Sequence, residues 1–432
     1  MEKKRITILL GAGAVCEATN VSTSSITKKV IKECKGYKIT PDKNQSVVDY
    51  ICKEYWETFN KYNIDYKPYS KSKLDDIVKV VNFEDIFHVL ELMMGFSMKE
   101  SSKKFTSAYK VFARFKKKFS NVDRMSVISS VNKVIEIVNN IVSEYSNHFH
   151  DKSTYFSTFI KKLENDFIIN IFNLNYDTWC EQSLSSYCDG FVEIPGYDSF
   201  QRFSIEKYRE NYNRKVNTIA HLHGSILYGL PDFKSSDINR YAYEDSRDCL
   251  YKYRDFTLSH DVRQRIFRSN LTNQAGETIA FSNIITGLMK TDKLLISPYM
   301  EYEHHFYHAL TSNERLLLVG YGFNDQYINR MLWGFQTQNI QYRKVMLITK
   351  VDEKSDWQPQ ITPPLFPDQM TKFSMLMFKN QGWFAGVDFS QVEKGYYSDD
   401  NMAALYTCGL KCVADNYLND VIRFFKNEII YS

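Results

Sequence analysis

Short apolar segments separated by helical stretches are the feature that most constrains the fold of this chain. They lie at Ile6–Leu10, Phe167–Phe172, Thr218–His221, Leu294–Ile296, Arg315–Val319 and Val345–Ile348. Nearly continuous apolar runs of this length are typical of parallel strands that are covered on both faces. Because helical periods separate them, the sequence predicts an α/β fold: a Rossmann-like doubly wound parallel sheet with a mostly helical insertion.

The chain length indicates more than one structural unit. With 432 residues it is about two to three times the size of a typical domain, so a main domain with insertions is expected. We assign residues 1–34, 166–230 and 290–432 to the Rossmann-like core. Helical periods with long charged side chains assign residues 35–165 to a helical insertion, and residues 231–289 are predicted to be a second insertion that covers the core.

The charge balance limits the classes of partner. The 55 basic and 51 acidic residues leave a formal charge of +4, which is too near balance for a polyanion binder that uses its whole surface. Any nucleic-acid contact would therefore be a local patch. Lys103–Phe119 predicts a basic amphipathic helix, either a solvated face over a core-facing stripe or a surface for an anionic partner. Aromatic residues reach 15%, an excess that is compatible with homo-oligomer interfaces.

The cysteines and the N-terminal segment bear on metal binding and location. The eight cysteines include no C-x-x-C pair, so free thiols in a reducing cytoplasm are expected and no metal site is predicted. The pairs His221/His223 and His304/His305 lack a complete ligand set. Residues 1–16 imitate an export signal, but the apolar part is short and Val15 is a poor cleavage residue. We expect a cytoplasmic protein without a membrane span.

Ligands of α/β sheets bind where parallel strands end, and two early strand ends carry suitable residues. Gly11 and Gly13 follow the first strand, where glycines permit close approach to a pyrophosphate or simply form a turn. Asn175 and Asp177 follow the second strand. Their side chains predict either hydrogen bonds to an amide or ribose hydroxyl, or capping of the next helix.

Two later strand ends are similar in character. His223, followed by Gly224 and Ser225, places a titratable imidazole beside permissive backbone, although a lone histidine is more often structural. The fourth strand end carries Gly320, Gly322, Asn324 and Asp325, which predict either a phosphate or ribose site or a capped helix after a tight turn. Each of the four motifs is ambiguous when it is considered singly.

In order, the motifs G-A-G, N-Y-D, L-H-G-S and G-Y-G-F-N-D resemble the sirtuin family, in particular the prokaryotic sirtuin-like NAD-consuming effectors of antiphage defence. The segments Asn82–Asp85 and Thr286–Tyr299 also resemble that branch. The resemblance implies that Asn175 and Asp177 position the nicotinamide ribose, a water and the carboxamide. It implies that His223 is catalytic and acts on a ribose hydroxyl or on the attacking water. The NAD-binding residues that it implies are Gly11, Ala12, Gly13, Ala14, Gly224, Ser225, Gly320, Gly322, Asn324 and Asp325.

Departures from the family argue against deacylation. Leu174 replaces a glutamine and Val15 replaces the usual serine, Asn20–Thr27 stands in place of a G-I-P-x-F-R segment, and the zinc module is missing. The resemblance therefore implies an NAD+ glycohydrolase that releases nicotinamide and ADP-ribose, or a cyclic form, and depletes NAD in abortive infection. The alternatives are an ADP-ribosyltransferase or deacylase, and a subunit that senses NAD or ADP-ribose without turnover.

The resemblance also suggests a partner. Some relatives work beside a HerA-type DNA translocase, so such a ring ATPase is a candidate partner. Because the chain has no G-x-x-x-x-G-K-[ST] motif, an energy-using partner would be a separate chain.

Overall fold

A computed structural model describes most of this chain. The described residues are 3–40, 44–60, 69–70, 74–97, 122–229, 250–254, 267–272, 278–286, 290–337, 343–350, 395–398 and 401–428. The predicted basic helix at Lys103–Phe119 lies outside them. Among the described helices, none is both long enough and apolar enough to cross a membrane.

The centre of the molecule is a sheet of seven described strands. In sheet order they are β12 (Tyr396–Tyr397), β13 (Ala403–Tyr406), β11 (Lys344–Ile348), β10 (Arg315–Val319), β1 (Lys4–Leu10), β2 (Phe167–Asn173) and β5 (Thr218–His221). All neighbouring pairs from β13 to β5 are parallel, and β12 alone among these strands is antiparallel to its neighbour. The predicted fold class is confirmed.

The strand order creates a switch point between β1 and β10. The chain proceeds from β1 outward through β2 to β5, and then returns to β10 and proceeds outward in the opposite direction through β11 to β13. Loops that leave β1 and β10 therefore diverge at their carboxyl ends. In an open α/β sheet this divergence forms a crevice in which ligands bind.

Helices cover both faces of the sheet. They are α1 (Gly13–Thr19), α2 (Thr23–Glu33), α3 (Val47–Asn60), α4 (Leu74–Ile77), α5 (Phe83–Ser97), α6 (Arg124–Asn147), α7 (Phe149–Lys152), α8 (Thr154–Asp166), α9 (Trp179–Ser183), α10 (Ile205–Asn213), α11 (Lys290–Lys293), α12 (Tyr299–Ser312), α13 (Gln326–Thr337), α14 (Gly409–Asn416) and α15 (Leu418–Lys426).

Alternation along the strands divides the core between the two faces. Ile8 of β1 belongs to one buried cluster, and its neighbour Leu9 belongs to the other. The first cluster also contains Ile86 of α5 and Val134 of α6. The helices of the predicted insertion at 35–165 thus continue the core on one face of the sheet, and in this way they bring α5 toward the switch point.

A smaller antiparallel sheet lies beside the core. It contains β3 (Phe191–Ile194), β4 (Tyr197–Phe203), β6 (Tyr228–Gly229) and β7 (Tyr251–Tyr253), and a separate pair is formed by β8 (Phe267–Thr272) and β9 (Thr278–Phe281). The strand prediction at Leu294–Ile296 is wrong, because these residues form a turn between α11 and α12. Leu294 and Ile296 are apolar because they pack into the core from this turn.

Candidate functional site

A cavity of about 1020 Å³ opens beside the carboxyl ends of β1 and β10. Its lining includes these residues predicted from the sequence: Gly11, Ala12, Gly13, Asn175, His223, Gly320, Gly322, Asn324 and Asp325. The predicted residues that do not line it are Ala14, Asp177, Gly224 and Ser225. Residues separated by more than 300 positions in the chain thus meet at the switch point.

The glycines let the β1 and β10 loops touch. A Cβ added to Gly11 would lie 2.5 Å from the carbonyl oxygen of Gly320, and a Cβ on Gly320 would lie 2.1 Å from the Ala14 nitrogen. Gly320 also has a φ of +60°, a conformation that side chains disfavour. Gly13 N–H donates to the Gly320 carbonyl at 3.0 Å. These glycines therefore build the cleft wall through contact between two loops.

Asn175 is held by hydrogen bonds on both its side chain and its backbone. Its side-chain Nδ2 donates to the Gly11 carbonyl at 3.1 Å, and its backbone N–H donates to Oδ1 of Asn173 at 2.9 Å. The residue is 9% exposed, and the surface that it exposes lies at the cavity. Its amide therefore has one defined position at the cavity wall, tied to the glycine turn of β1.

A buried ion pair supports Asn175 from behind. His221 Nδ1 lies 3.3 Å from the Asn175 carbonyl oxygen, and His221 Nε2 lies 2.8 Å from Glu181 Oε1. Burial disfavours both charges, but the mutual contact outweighs it, so the pKa of His221 lies above its ordinary value and that of Glu181 below. A protonated His221 donates to both oxygens and orients the Asn175 backbone.

His223 lies in a cluster of charged side chains at the cavity. Its Nε2 is 3.1 Å from Asp325 Oδ2, and Lys290 Nζ contacts the same carboxylate oxygen. Burial and then the positive Lys290 lower the pKa of His223 to about 4, although Asp325 acts in the opposite direction. His223 is therefore neutral near pH 7, and one of its nitrogens is free of a proton.

Asp325 performs a structural task as well. Its Oδ1 accepts from the backbone N–H groups of Tyr327 and Ile328, both at 3.0 Å, which caps the start of α13. Burial opposes ionisation, but His223 and Lys290 more than compensate and hold the pKa of Asp325 far below its ordinary value. The capped-helix interpretation of this motif is thus correct, and the same carboxylate also faces the cavity.

The N-F-E-D segment supplies site residues that sequence reasoning missed. Asn82 and Asp85 form a reciprocal capping box at the start of α5, with hydrogen bonds of 3.0 and 2.9 Å. Phe83 is buried in the core, and Glu84 and His88 line the cavity. The four-residue spacing of Glu84 and His88 places them on one face of the helix. The sequence singled out this segment only by its resemblance, which assigned no role to Glu84 or His88.

Asp177 caps a helix away from the cavity. Its Oδ1 accepts from Trp179 N–H at 3.0 Å, the residue is 1% exposed, and Trp179 packs edge-on against Tyr145. Burial raises the pKa of Asp177 to about 6. Of the two interpretations of this residue, the hydrogen bond corresponds to capping.

We expect Asp177→Asn to remove a pH dependence of stability. A carboxyl whose pKa rises from about 3.9 to 6 stabilises the folded state most below pH 4, and this stabilisation is lost as the pH rises through 6. Asparagine keeps the capping oxygen without ionising. The free energy of unfolding of the variant relative to the natural protein should therefore rise by about 2 kcal/mol between pH 4 and pH 7. Urea titrations across this range measure it, and a constant difference would contradict it.

Gly224 and Ser225 hold the backbone instead of lining the cavity. Gly224 has a φ of +92°, and an added Cβ would lie 2.2 Å from the Asn283 carbonyl oxygen. Ser225 N–H donates to that same oxygen at 3.1 Å, while Ile285 N–H donates to the His223 carbonyl at 2.6 Å. These contacts fix the loop that carries His223.

Among the described residues, no group of three or more His, Cys, Asp or Glu side chains is placed to hold a metal ion.

Comparison with known proteins yields similarity to solved structures but no sequence match. No protein-family model matches the sequence, and a search of curated proteins finds no match. The chain is similar to a solved structure described as "Structural Basis for the Mechanism and Regulation of Sir2 Enzymes", with 8% sequence identity and a TM-score of 0.29. The match covers 99% of this chain and 93% of that one. At this level the likeness does not assign the role of any residue.

Proposed function

We propose that this protein is an NAD+ glycohydrolase that cleaves the bond between nicotinamide and ribose. The observation that carries the proposal is the convergence of Asn175 and His223, from the ends of the neighbouring strands β2 and β5, on one cavity at the switch point. The glycine turns of β1 and β10 form the adjoining wall. Dinucleotides bind at this position in doubly wound sheets.

The size of the cavity supports a substrate as large as NAD+. Sites for drug-sized ligands span roughly 300–1000 Å³, and this cavity of about 1020 Å³ is at the upper end of that range. Gly320 and Gly322 are proposed to contact the adenosine side, so that nicotinamide lies toward Asn175 and His223. The dinucleotide would then cross the switch point.

The proposed reaction consumes one water. The bond between the nicotinamide nitrogen and ribose C1′ breaks, and its electron pair stays on nicotinamide, which leaves as a neutral molecule. The C1′ centre, cationic at that stage, accepts the oxygen of water, and ADP-ribose and a proton result. Asn175 positions the water or the ribose, and His223 accepts the proton. Holding these groups in place supplies most of the advantage over free solution.

We expect the acid limb of the pH profile to lie well below the ordinary histidine range. Because His223 must be neutral to accept a proton, and its pKa is about 4, kcat/KM should be level from about pH 5.5 to 8. Lys290→Met removes the nearby cation that lowers this pKa, so it should move the acid limb upward. Asp325→Asn should move it downward, because Asp325 raises the pKa. Intrinsic fluorescence at each pH separates loss of activity from unfolding.

The first test of the proposal is nicotinamide release by the purified protein. NAD+ labelled in the adenosine part also shows where the ADP-ribose goes. Free ADP-ribose supports hydrolysis, a cyclic product supports cyclisation, and label on protein supports transfer instead. Tight NAD+ binding with the glycosidic bond intact, also after addition of the candidate partner, would contradict the hydrolase and favour a sensor.

The biological setting is proposed on the resemblance alone. A cytoplasmic NAD+ glycohydrolase that depletes NAD during phage infection would need an inactive resting state. Two assemblies are candidate means of control: one with a HerA-type translocase and one with further copies of this chain. Size-exclusion chromatography of the protein alone and with the product of a neighbouring translocase gene tests this. Independent elution of two monomers would count against both assemblies.

A further inference from the structure

Glu84 is a carboxylic acid at the cavity that has no partner in the described part of the chain. Its side chain is exposed, and it lines the cavity from the first turn of α5. It forms no hydrogen bond or ion pair with any described residue. The capping box of Asn82 and Asp85 fixes the helix start that carries it. Glu84 is thus held in position by neighbours while its own carboxyl group remains available.

The other acids that line the cavity are occupied. Glu17 accepts from the backbone N–H of Lys411 at 3.0 Å, at the start of α14. Asp325 accepts from two backbone N–H groups of α13 and contacts Lys290. Each of these carboxylates therefore already has donors. Glu84 is the one acid of this cavity lining that forms no hydrogen bond or ion pair with a described residue.

Its surroundings oppose its charge in the absence of a ligand. Although the Glu84 side chain has surface open to the cavity, the protein atoms around it reduce its solvation and raise its pKa. The negative Asp325 and Asp85 add to this, while Lys290 acts in the opposite direction. A cation placed in the cavity would favour ionisation of this group. The site therefore has an acid whose negative charge is best supported when a positive ligand is present.

We propose, on the basis of the proposed NAD+ glycohydrolase function, that Glu84 recognises the positive charge of the nicotinamide end of the substrate. NAD+ carries this charge on the pyridinium ring before cleavage, and ribose C1′ carries it as the bond breaks. A carboxylate that faces this region stabilises both forms. Glu84 would thus make the site select the oxidised dinucleotide over the reduced one, whose nicotinamide ring is neutral.

The ratio of the affinities for NAD+ and NADH isolates this effect. The two ligands share the adenosine, the pyrophosphate and both riboses, and they differ in ring charge. Binding is measured by calorimetry in a His223→Ala background, so that NAD+ is not consumed. Because His223 is neutral near pH 7, this background leaves the charge of the site unchanged. Glu84→Gln is compared with Glu17→Gln, which removes one charge from the same cavity lining.

We expect Glu84→Gln to weaken NAD+ binding about tenfold or more, which corresponds to the loss of one well-placed charge contact, and to change NADH binding less than twofold. Glu17→Gln should leave the ratio unchanged, and Glu84→Asp should retain the preference for NAD+. In the presence of His223, Glu84→Gln should also lower kcat/KM for nicotinamide release.

Two results would overturn this inference while the hydrolase stands. Equal losses for NAD+ and NADH would mean that Glu84 contacts a shared part of the ligand or supports the fold, and unchanged affinities for both ligands would mean that it does not sense the ring charge. Failure of the natural protein to bind or cleave NAD+ is a different result, because it removes the proposed function together with the inference. Circular dichroism shows whether each variant retains its helices.

Discussion

Replacing Asn175 or His223 by alanine is expected to lower kcat for nicotinamide release by about a hundredfold to a thousandfold, while the protein stays folded. The first change removes an amide that is fixed to the Gly11 carbonyl, and the second removes the neutral imidazole of the cavity. General base catalysis by a positioned side chain typically contributes such factors. Loss of positioning has effects of similar size.

A matched variant in the same loop separates catalysis from folding. Asp177→Asn changes a residue two positions from Asn175 that caps α9 and does not line the cavity, so it should keep kcat within about threefold of the natural value. Initial rates of nicotinamide formation at saturating NAD+ measure all three variants. If both alanine variants keep the kcat of the natural protein, the assigned roles are refuted. A large loss of kcat in Asp177→Asn would mean that Asp177 belongs to the catalytic site.

The second large effect is expected for Gly320→Ala, which should reduce the free energy of unfolding by about 3 kcal/mol or more. A methyl group at this position meets the Ala14 nitrogen at 2.1 Å and the Gly13 carbonyl carbon at 2.4 Å. The alanine backbone must also adopt a φ of +60° at this position. The left-handed conformation costs about 1–2 kcal/mol, and forced displacement of packed backbone costs a further 1–3 kcal/mol.

The control is Gly36→Ala. A Cβ at Gly36 meets no atom within 4 Å, so this variant should lie within about 0.5 kcal/mol of the natural protein. Urea titration followed by tryptophan fluorescence compares the midpoints. A Gly320→Ala midpoint equal to that of Gly36→Ala would show that the two loops separate without loss, and the contact would then not be needed to form the cleft wall.

The strands of the parallel sheet were predictable because burial on both faces demands nearly continuous apolar sequence. Thr218–His221 and Arg315–Val319 were recognised in this way, and both are strands in the structure. The same reasoning failed at Leu294–Ile296, where apolar residues pack from a turn. It also missed Phe191–Ile194 and Ala403–Tyr406, both of which are strands in the structure.

The site was predictable only in part, since helix caps and ligand contacts use the same residue types. Asp325 both caps α13 and lines the cavity, whereas Asp177 caps α9 without lining it. The backbone of Asn283 comes close to Gly224. Such packing requires glycine just as close approach of a ligand does. Local sequence does not contain the direction in which such a side chain points.

The amino-acid sequence by itself determined the α/β class, the positions of the main parallel strands and the order of the polar motifs that follow them, because burial and backbone conformation are local demands on residue type. The tertiary structure alone decided that Gly11, Asn175, His223 and Asp325 share one cavity and that Glu84 of a distant helix joins them. Strand order and helix packing set these proximities, and both arise from contacts between residues far apart in the chain.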